Sequence, residues 1–432
     1  MGAPLERTPE QAEHTPKAGD KGLKNRLSLR SLFVYLGPAL IVSMAYMDPG
    51  NYGTDIAGGA SFNYDLVWAV VLANIMAMQL QYLSGKLGIA TGKSLPELVR
   101  GSLGKRRYVI PYWLASEAAA AATDLAEYLG TVIALNLLFG IPLLISAVVG
   151  AFDVIILLGL MSRRFRVIEQ FFMLFVSIIG IGFLYELVII RPSVPQMLVH
   201  TIPYSLNSEI ILLVVGIIGA TVMPHALFVH SWLTARKLNE HTVEEKRRLL
   251  GLHLSENVIM LTIAGLVNIA ILIAAAAAFF PKYSNVSTIN QAYSILIPLF
   301  GSFAAVVFAV TLLSSGLASS TTGTIAGQAI MDGLLGTKVN VYLRRVVTRF
   351  INVFPTTIAI YIGLNPLSLL VYSQVILSLM IPLPMIPLIV YTSKRSVMGE
   401  FVNSRSSILI AVAFASIIIS LNAFLIVTTL NL

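Results

Sequence analysis

The sequence predicts an all-α polytopic membrane protein of eleven transmembrane helices. Ten of these form a five-plus-five inverted repeat with breaks in helices 1 and 6. Three observations predict this. The first is composition. The 432 residues are 56% hydrophobic and only 12% charged, where a soluble domain carries about 25% charged residues. The apolar runs are long instead of alternating in short strands, the pattern of membrane helices and not of a β-barrel. The second is the placement of the basic residues. The third is a pair of matching helix breaks, one in each half of the chain.

Eleven apolar spans run over 32–60, 65–90, 108–136, 141–161, 167–190, 209–235, 252–280, 297–331, 346–364, 366–392 and 406–430. Lys and Arg fall in alternating connections. They cluster in the N-terminal tail and after the second, fourth, sixth, eighth and tenth spans; only Arg191 and Lys282 lie on the other side. The positive-inside rule places the N-terminus in the cytoplasm and, with an odd number of spans, the C-terminus outside. A miscounted span would spoil the alternation. The net charge of +8 therefore reflects membrane orientation and does not point to nucleic acid. Residues 1–30 are polar and carry Pro4, Pro9 and Pro16, so they read as a disordered cytoplasmic tail. No short apolar core precedes a small-residue cleavage site, so a cleaved signal peptide is not expected. The rest, 31–432, reads as one transmembrane domain: repeat one about 31–190, repeat two about 209–392, and an extra helix at 406–430. With no cysteine, disulfides and thiolate metal sites are both excluded.

The first span contains Ala45-Tyr46-Met47-Asp48-Pro49-Gly50-Asn51. An acid inside hydrocarbon costs at least about 2.5–3.5 kcal/mol on insertion scales and is rare without a task. Pro49 removes a backbone donor, and Gly50 lets the chain leave the helix. A charge, a break and an amide within four residues predict an interrupted helix that exposes carbonyls beside a carboxylate. Such breaks are tolerated where they line a protected cavity.

In the second span, Asn74, Gln79 and Gln81 fit hydrogen bonding between helices better than ligand binding. The third span reads Glu117, five alanines, Thr123, Asp124 and Glu127. Its three acids share an arc of roughly 80° on one helical face, and cannot all stay ionised cheaply there. The row fits a proton relay. Structural pairing with Arg or His on a neighbouring helix also fits. The alanines allow close helix approach. Asp153 and Glu186 lie in the fourth and fifth spans without an assigned role, Glu186 near the outer end and expected to be solvated.

The sixth span is broken at Ala220-Thr221-Val222-Met223-Pro224-His225. Both breaks read Ala-x-x-ligand-Pro, and Met223 lies 175 residues after Asp48. Five spans separate equivalent points, so the halves run in opposite directions. Broken helices at corresponding positions of an inverted repeat point to the central site of a secondary transporter. The eighth span carries a small-residue stripe, Gly316, Ser320, Gly323 and Gly327, suited to tight packing; with no Lys after the glycines it is not a phosphate-binding loop. The tenth has Gln374 in an apolar run, then Pro382, Pro384 and Pro387, which predict a bend. The eleventh has Asn422 as its notable polar residue.

Facing breaks would offer the Asp48 carboxylate, the Asn51 amide oxygen, carbonyls freed near Ala45 and Ala220, and the Met223 thioether. Oxygens serve many divalent ions. A neutral sulfur adds little for Mg²⁺ or Ca²⁺ but binds Mn²⁺, Fe²⁺, Co²⁺, Zn²⁺ or Cd²⁺. Taken alone, Met223 would read as core filler, since the chain has 14 Met residues. His225 titrates near neutral pH and can accept a coupled proton; partnership with Glu127 or Glu117 is the competing and compatible reading. His230 lies about 140° further round the helix and is a weaker candidate for the proton path.

Asp48-Pro49-Gly50-Asn51 and Met223-Pro224-His225 resemble the two signature motifs of the Nramp family of divalent metal transporters. The resemblance spans nearly the whole chain, including residues 122–127 and 315–328. It implies a leucine-transporter-like fold and proton-coupled import of Mn²⁺ or Fe²⁺ across the plasma membrane. It implies metal ligation by Asp48, Asn51, Met223 and the carbonyls of Ala45 and Ala220, with Gln374 joining in an occluded state. It further implies a proton route from Asp48 past His225, Glu127 and Asp124 towards Arg344 or Arg345, with Glu117 in the same acid row; the two arginines also suit plain cytoplasmic anchoring. Met223 favours transition metals, since magnesium-transporting relatives depart from the family there. The expected partners are metal ions, protons and the bilayer, with no cofactor, no nucleic acid and no obligate protein partner. An amino-acid symporter of the same fold would not place an acid where an anionic group binds. An intramembrane enzyme is not expected, since His-Glu-x-x-His and Gly-x-Ser-x-Gly are both absent.

Overall fold

The structure, a computed structural model, describes residues 38–153, 159, 165–200, 202–203, 208–236, 242–283, 289–337 and 340–429. The expected tail at 1–30 and most of the fourth span beyond Asp153 lie outside these residues. The described residues belong to one compact unit, Gly37–Leu432. Among them all regular structure is helical.

The first span is two half-helices, α1 (Pro38–Ala45) and α2 (Pro49–Phe62). The second is α3 (Val67–Thr91), followed by a short α4 (Leu95–Leu103). The third is α5 (Arg106–Phe139), and α6 (Leu143–Gly150) opens the fourth. The fifth is α7 (Phe165–Ile190), followed by a single turn, α8 (Val194–Val199). The sixth is again halved, α9 (Ser208–Val222) and α10 (Pro224–Arg236). The seventh is α11 (Val243–Phe279). A separate helix, α12 (Ile289–Phe300), precedes the eighth, α13 (Ser302–Leu335). The ninth is α14 (Val341–Tyr361). The tenth bends at Ile381 between α15 (Pro366–Met380) and α16 (Pro382–Thr392), as its prolines predict. The last is α17 (Arg405–Thr429).

Eight of these helical stretches are long and apolar enough to cross a membrane. The other three spans fall short for local reasons. The first is interrupted over residues 46–48, where the sixth is interrupted at Met223 alone, and the fourth extends beyond the described residues. The ninth, α14, is loaded with Arg344, Arg345 and Arg349. Three helix starts differ from the sequence reading by five residues or more; that of α14 falls at Val341 instead of 346, where Asn340 caps it. Residues 297–300 belong to α12, because Gly301 adopts φ +92 and starts a new helix at Ser302. The seventh helix begins nine residues before 252, since Thr242 and Glu245 form a capping box that nucleates it within the charged segment.

The breaks sit in the middle of the packing. The half-helix α2 lies between α11, α9, α15 and α5, while α10 lies against α3 and α13. The start of α1 is held from α11, where Glu256 Oε1 accepts the Ala39 N–H at 3.1 Å. The small-residue stripe does what its spacing predicts. It presses α13 onto α5, where a methyl group at Gly316 would meet Thr131 and one at Gly323 would meet the Glu127 carboxylate. Amides of α3 bridge helices: Gln79 Nε2 donates to Ser407 at 3.1 Å, and Gln81 meets His230.

Candidate functional site

Each break frees the carbonyl four residues before its proline, because proline has no N–H to return to it. For Pro49 that residue is Ala45; for Pro224 it is Ala220. Between α1 and α2, Asp48 turns extended, with φ −77 and ψ 165, and caps α2. Its Oδ1 accepts the Asn51 backbone N–H at 2.9 Å and the Asn51 side-chain amide at 2.8 Å. A carboxylate at a helix N-terminus is favoured by the dipole. In the second break Met223 takes a left-handed φ of 37. Such a conformation is uncommon for a residue with a side chain and collects at functional sites.

The two breaks meet. Asn51 Nδ2 donates to Ala220 O at 3.3 Å and to Tyr46 O at 3.2 Å, as well as to Asp48. Three oxygens from two half-helix pairs thus converge on one N–H₂ group, a place that favours positive charge. Turning that amide over presents Oδ1 to the same point. Asp48, Asn51, Ala45, Ala220, Met223 and Gln374 are all essentially inaccessible. Asp48 Oδ2 and Gln374 Oε1 have no hydrogen-bond partner. Gln374 lies directly on the break, so close that a methyl group at Gly50 would collide with its amide. On the opposite break, a methyl group at Gly219 would strike the backbone of α15 at Gln374 O and at Ser378 N.

Sequence reasoning missed several groups that orient this centre. Asn268 of α11 donates to Asn51 Oδ1 at 3.2 Å and to Tyr46 O at 2.9 Å. Ser315 of α13 donates to Met47 O at 2.5 Å, and Thr221 donates to Asn51 Oδ1 at 3.4 Å. Tyr46, whose carbonyl joins Ala220, was likewise not singled out. An isolated amide or hydroxyl in an apolar helix carries little signal by itself. Among the described residues no three His, Asp or Glu side chains form a preformed metal cluster. That agrees with a donor set of one acid, amides, carbonyls and a thioether.

Beside the breaks, the acid row of α5 divides. Glu127 is buried, with neither oxygen hydrogen bonded. It lies three residues beyond Asp124 on α5, where a methyl group at Gly323 of α13 would meet its carboxylate. Asp124 is saturated: Arg345 donates to Oδ1 at 2.5 Å and Asn352 to Oδ2 at 2.6 Å. Arg344 donates to Glu117 at 2.7 Å. Arg344 and Arg345 are therefore not surface anchors, being 8% and 2% exposed. Arg349 and Asp153, given no role from sequence, pair at 2.5 Å, and Ser320 accepts from both Arg345 and Arg349.

The histidines and one acid require corrections. His225 Nδ1 lies 3.1 Å from the Thr123 hydroxyl, not against Glu127 or Glu117, because Thr123 is the α5 side chain that meets α10 at that level. His230 lies among α3 and α11, with Nδ1 2.9 Å from Gln81 Oε1 and its ring edge-on to His253 at 4.9 Å. It is not placed with the acid row. Glu186 is not solvated but 3% exposed, since α7 turns it inward under α2, α11 and α13.

The fold and site define a polytopic membrane protein of leucine-transporter-like architecture, with two facing helix breaks around a buried acid. Likeness to the nucleobase-cation-symport-1 transporter Mhp1 supports that fold, at TM-score 0.59 and 14% identity over 90% of this chain and 89% of that one. Residues 39–428 match the model of the natural resistance-associated macrophage protein-like family, Nramp, and the chain belongs to it. It is 43% identical to the divalent metal cation transporter MntH of Deinococcus radiodurans, covering 94% of this chain and 92% of that protein. The crystal structure of the Eremococcus coleocola manganese transporter with an aromatic bis-isothiourea compound is similar at TM-score 0.84 and 32% identity, over 92% of this chain and 87% of that one. These relatives are named as transporters, and the chain is not an enzyme.

Proposed function

We propose that the chain is a proton-coupled secondary transporter that imports divalent transition-metal ions across the plasma membrane. Mn²⁺ and Fe²⁺ are the principal substrates, and Co²⁺, Cd²⁺ and Zn²⁺ are chemically admissible. The observation that carries the reading is the convergence of Asp48, Asn51 and the Ala220 carbonyl beside Met223, across two breaks on oppositely oriented half-repeats. The names of the relatives support it. Asp48 supplies the charge, the amide and carbonyls replace water around the ion, and the thioether acts against abundant hard ions.

The proton leaves by the acid row. Glu127 has no competing partner, so it can take a proton when a cation occupies Asp48. The Asp124–Arg345 and Glu117–Arg344 pairs continue the row along α5 and α14. His225, held by Thr123, borders this route, while His230 is kept for a separate inner contact. Residues 31–432 act as one transporter domain, with the N-terminus cytoplasmic and the C-terminus extracellular.

The test is uptake of Mn²⁺ by sealed vesicles containing the purified chain, with internal pH followed at the same time. The expected result is metal accumulation driven by an inward proton gradient and accompanied by acidification. Uptake indifferent to that gradient would contradict the coupling, and no Mn²⁺ uptake would contradict the substrate.

A further inference from the structure

One buried acid is used by nothing above. Glu186, on α7, is 3% exposed, and its Oε1 has no hydrogen-bond partner. It lines a cavity of about 20 Å³ whose other walls include Ile56, Ile271, Ala275, Phe279 and Phe308. That volume accommodates a single water. A divalent ion wants several oxygen ligands, and this cavity offers one carboxylate. A proton wants one oxygen. Bound there, it also removes the cost of an unpaired charge among apolar side chains.

Two ionisable side chains, Tyr52 and Asp55, sit on α2, the half-helix that lends Ile56 to the cavity wall. Tyr52 of α2 packs on Phe183 at 5.5 Å and Phe308 at 6.2 Å, two rings that line the cavity. Asp55, one turn further along α2, is 1% exposed with both oxygens unpartnered. Of these two, Tyr52 is the one packed against rings that line the cavity. The cavity residues contributed by α11, α12 and α13 are all apolar, and no basic side chain lines the space.

We propose that Glu186 and its cavity form a proton-loading site on the extracellular side of the central break. A hydronium ion delivers its proton to the Glu186 carboxylate, leaving water. One O–H bond forms as another breaks, and no electrons are exchanged. This inference rests on the proton-coupled reading above.

The test uses the full chain in sealed vesicles at fixed internal pH, with Mn²⁺ outside and outer pH varied. Glu186→Gln keeps the shape and removes the proton site, Glu186→Asp keeps the acid, and Ala275→Val fills the cavity while leaving Glu186 in place. Glu186→Gln and Ala275→Val are expected to slow Mn²⁺-dependent acidification at least about fivefold at alkaline outer pH, where proton supply limits. The deficit should shrink in acid. Glu186→Asp should recover part of the rate, and Mn²⁺ binding in detergent should be unchanged. Variants that match the wild type at every outer pH would overturn the proposal. So would a pH-independent deficit that comes with lost Mn²⁺ binding, since that marks simple structural damage. Metal uptake without any acidification in the wild type itself would instead overturn the coupling on which the proposal stands.

Discussion

The central break pair and the charge ladder between α5 and α14 are both buried and polar, yet they are built by opposite rules. In the ladder every acid has a base: Glu117 with Arg344, Asp124 with Arg345, Asp153 with Arg349. At the centre, acceptors outnumber donors. Asp48 Oδ2, both Glu127 oxygens and Gln374 Oε1 lack hydrogen-bond partners, and neither Asp48 nor Glu127 is in an ion pair among the described residues. A buried unpaired acceptor is costly, and a buried ion pair is costly to break. The ladder therefore holds helices in place, and the centre is held together in spite of its chemistry. The difference supports the proposed place of the cation, in the region whose acids have no base beside them, while each acid of the ladder is paired with an arginine.

The sharpest way to break the comparison is to neutralise one acid in each region. Asp48→Asn should bring Mn²⁺ uptake to background while leaving thermal stability unchanged or raised, because an uncompensated buried charge is removed. Asp124→Asn should do the reverse in stability. It strands Arg345 and should lower the melting temperature by the equivalent of about 3–5 kcal/mol, the usual cost of breaking a buried pair. Fluorescence-monitored unfolding of the purified variants decides this; equal stability losses at both sites would show that the two regions do not differ.

A smaller effect is expected at Met223. Met223→Ala should let Ca²⁺ or Mg²⁺ compete with Mn²⁺, moving the discrimination by about tenfold, or ~1.4 kcal/mol. Loss of Mn²⁺ uptake without any change in discrimination would remove the thioether from the account. The smallest effect is expected at Thr123→Val. It takes away the His225 partner and leaves a buried ring nitrogen short of a hydrogen bond, at about 1–3 kcal/mol. The pH profile of uptake should shift while the choice of metal stays the same; a changed choice of metal would place His225 at the ion.

Much of the centre was legible because its chemistry is local in sequence. A proline frees the carbonyl four residues back, so the motifs around Pro49 and Pro224 announce both the breaks and their exposed oxygens. The opposite orientation of the two halves followed from the odd number of spans between them, and the Asn51–Ala220 hydrogen bond shows that the breaks meet. What resisted reading were partners that come from elsewhere in the chain. Asn268 looks like any amide in an apolar helix until it is seen donating to Asn51 and Tyr46. Asp153 and Arg349 lie 196 positions apart, and neither helix alone says that they pair. Glu186 was misplaced because nearness to a span end suggests water, whereas the inward rotation of α7 is set by packing. The start of α13 was misplaced because apolar content continues through α12, and only the backbone at Gly301 divides them.

The central claim is that Met223 and Asp48 meet one metal ion between the breaks. The most direct measurement is X-ray absorption at the cadmium edge on purified protein loaded with one equivalent of Cd²⁺. A single sulfur scatterer among oxygens is expected, since the chain has no cysteine, and it should vanish in Met223→Ala. An oxygen-only shell in the wild type, or a sulfur signal that survives the substitution, would contradict it.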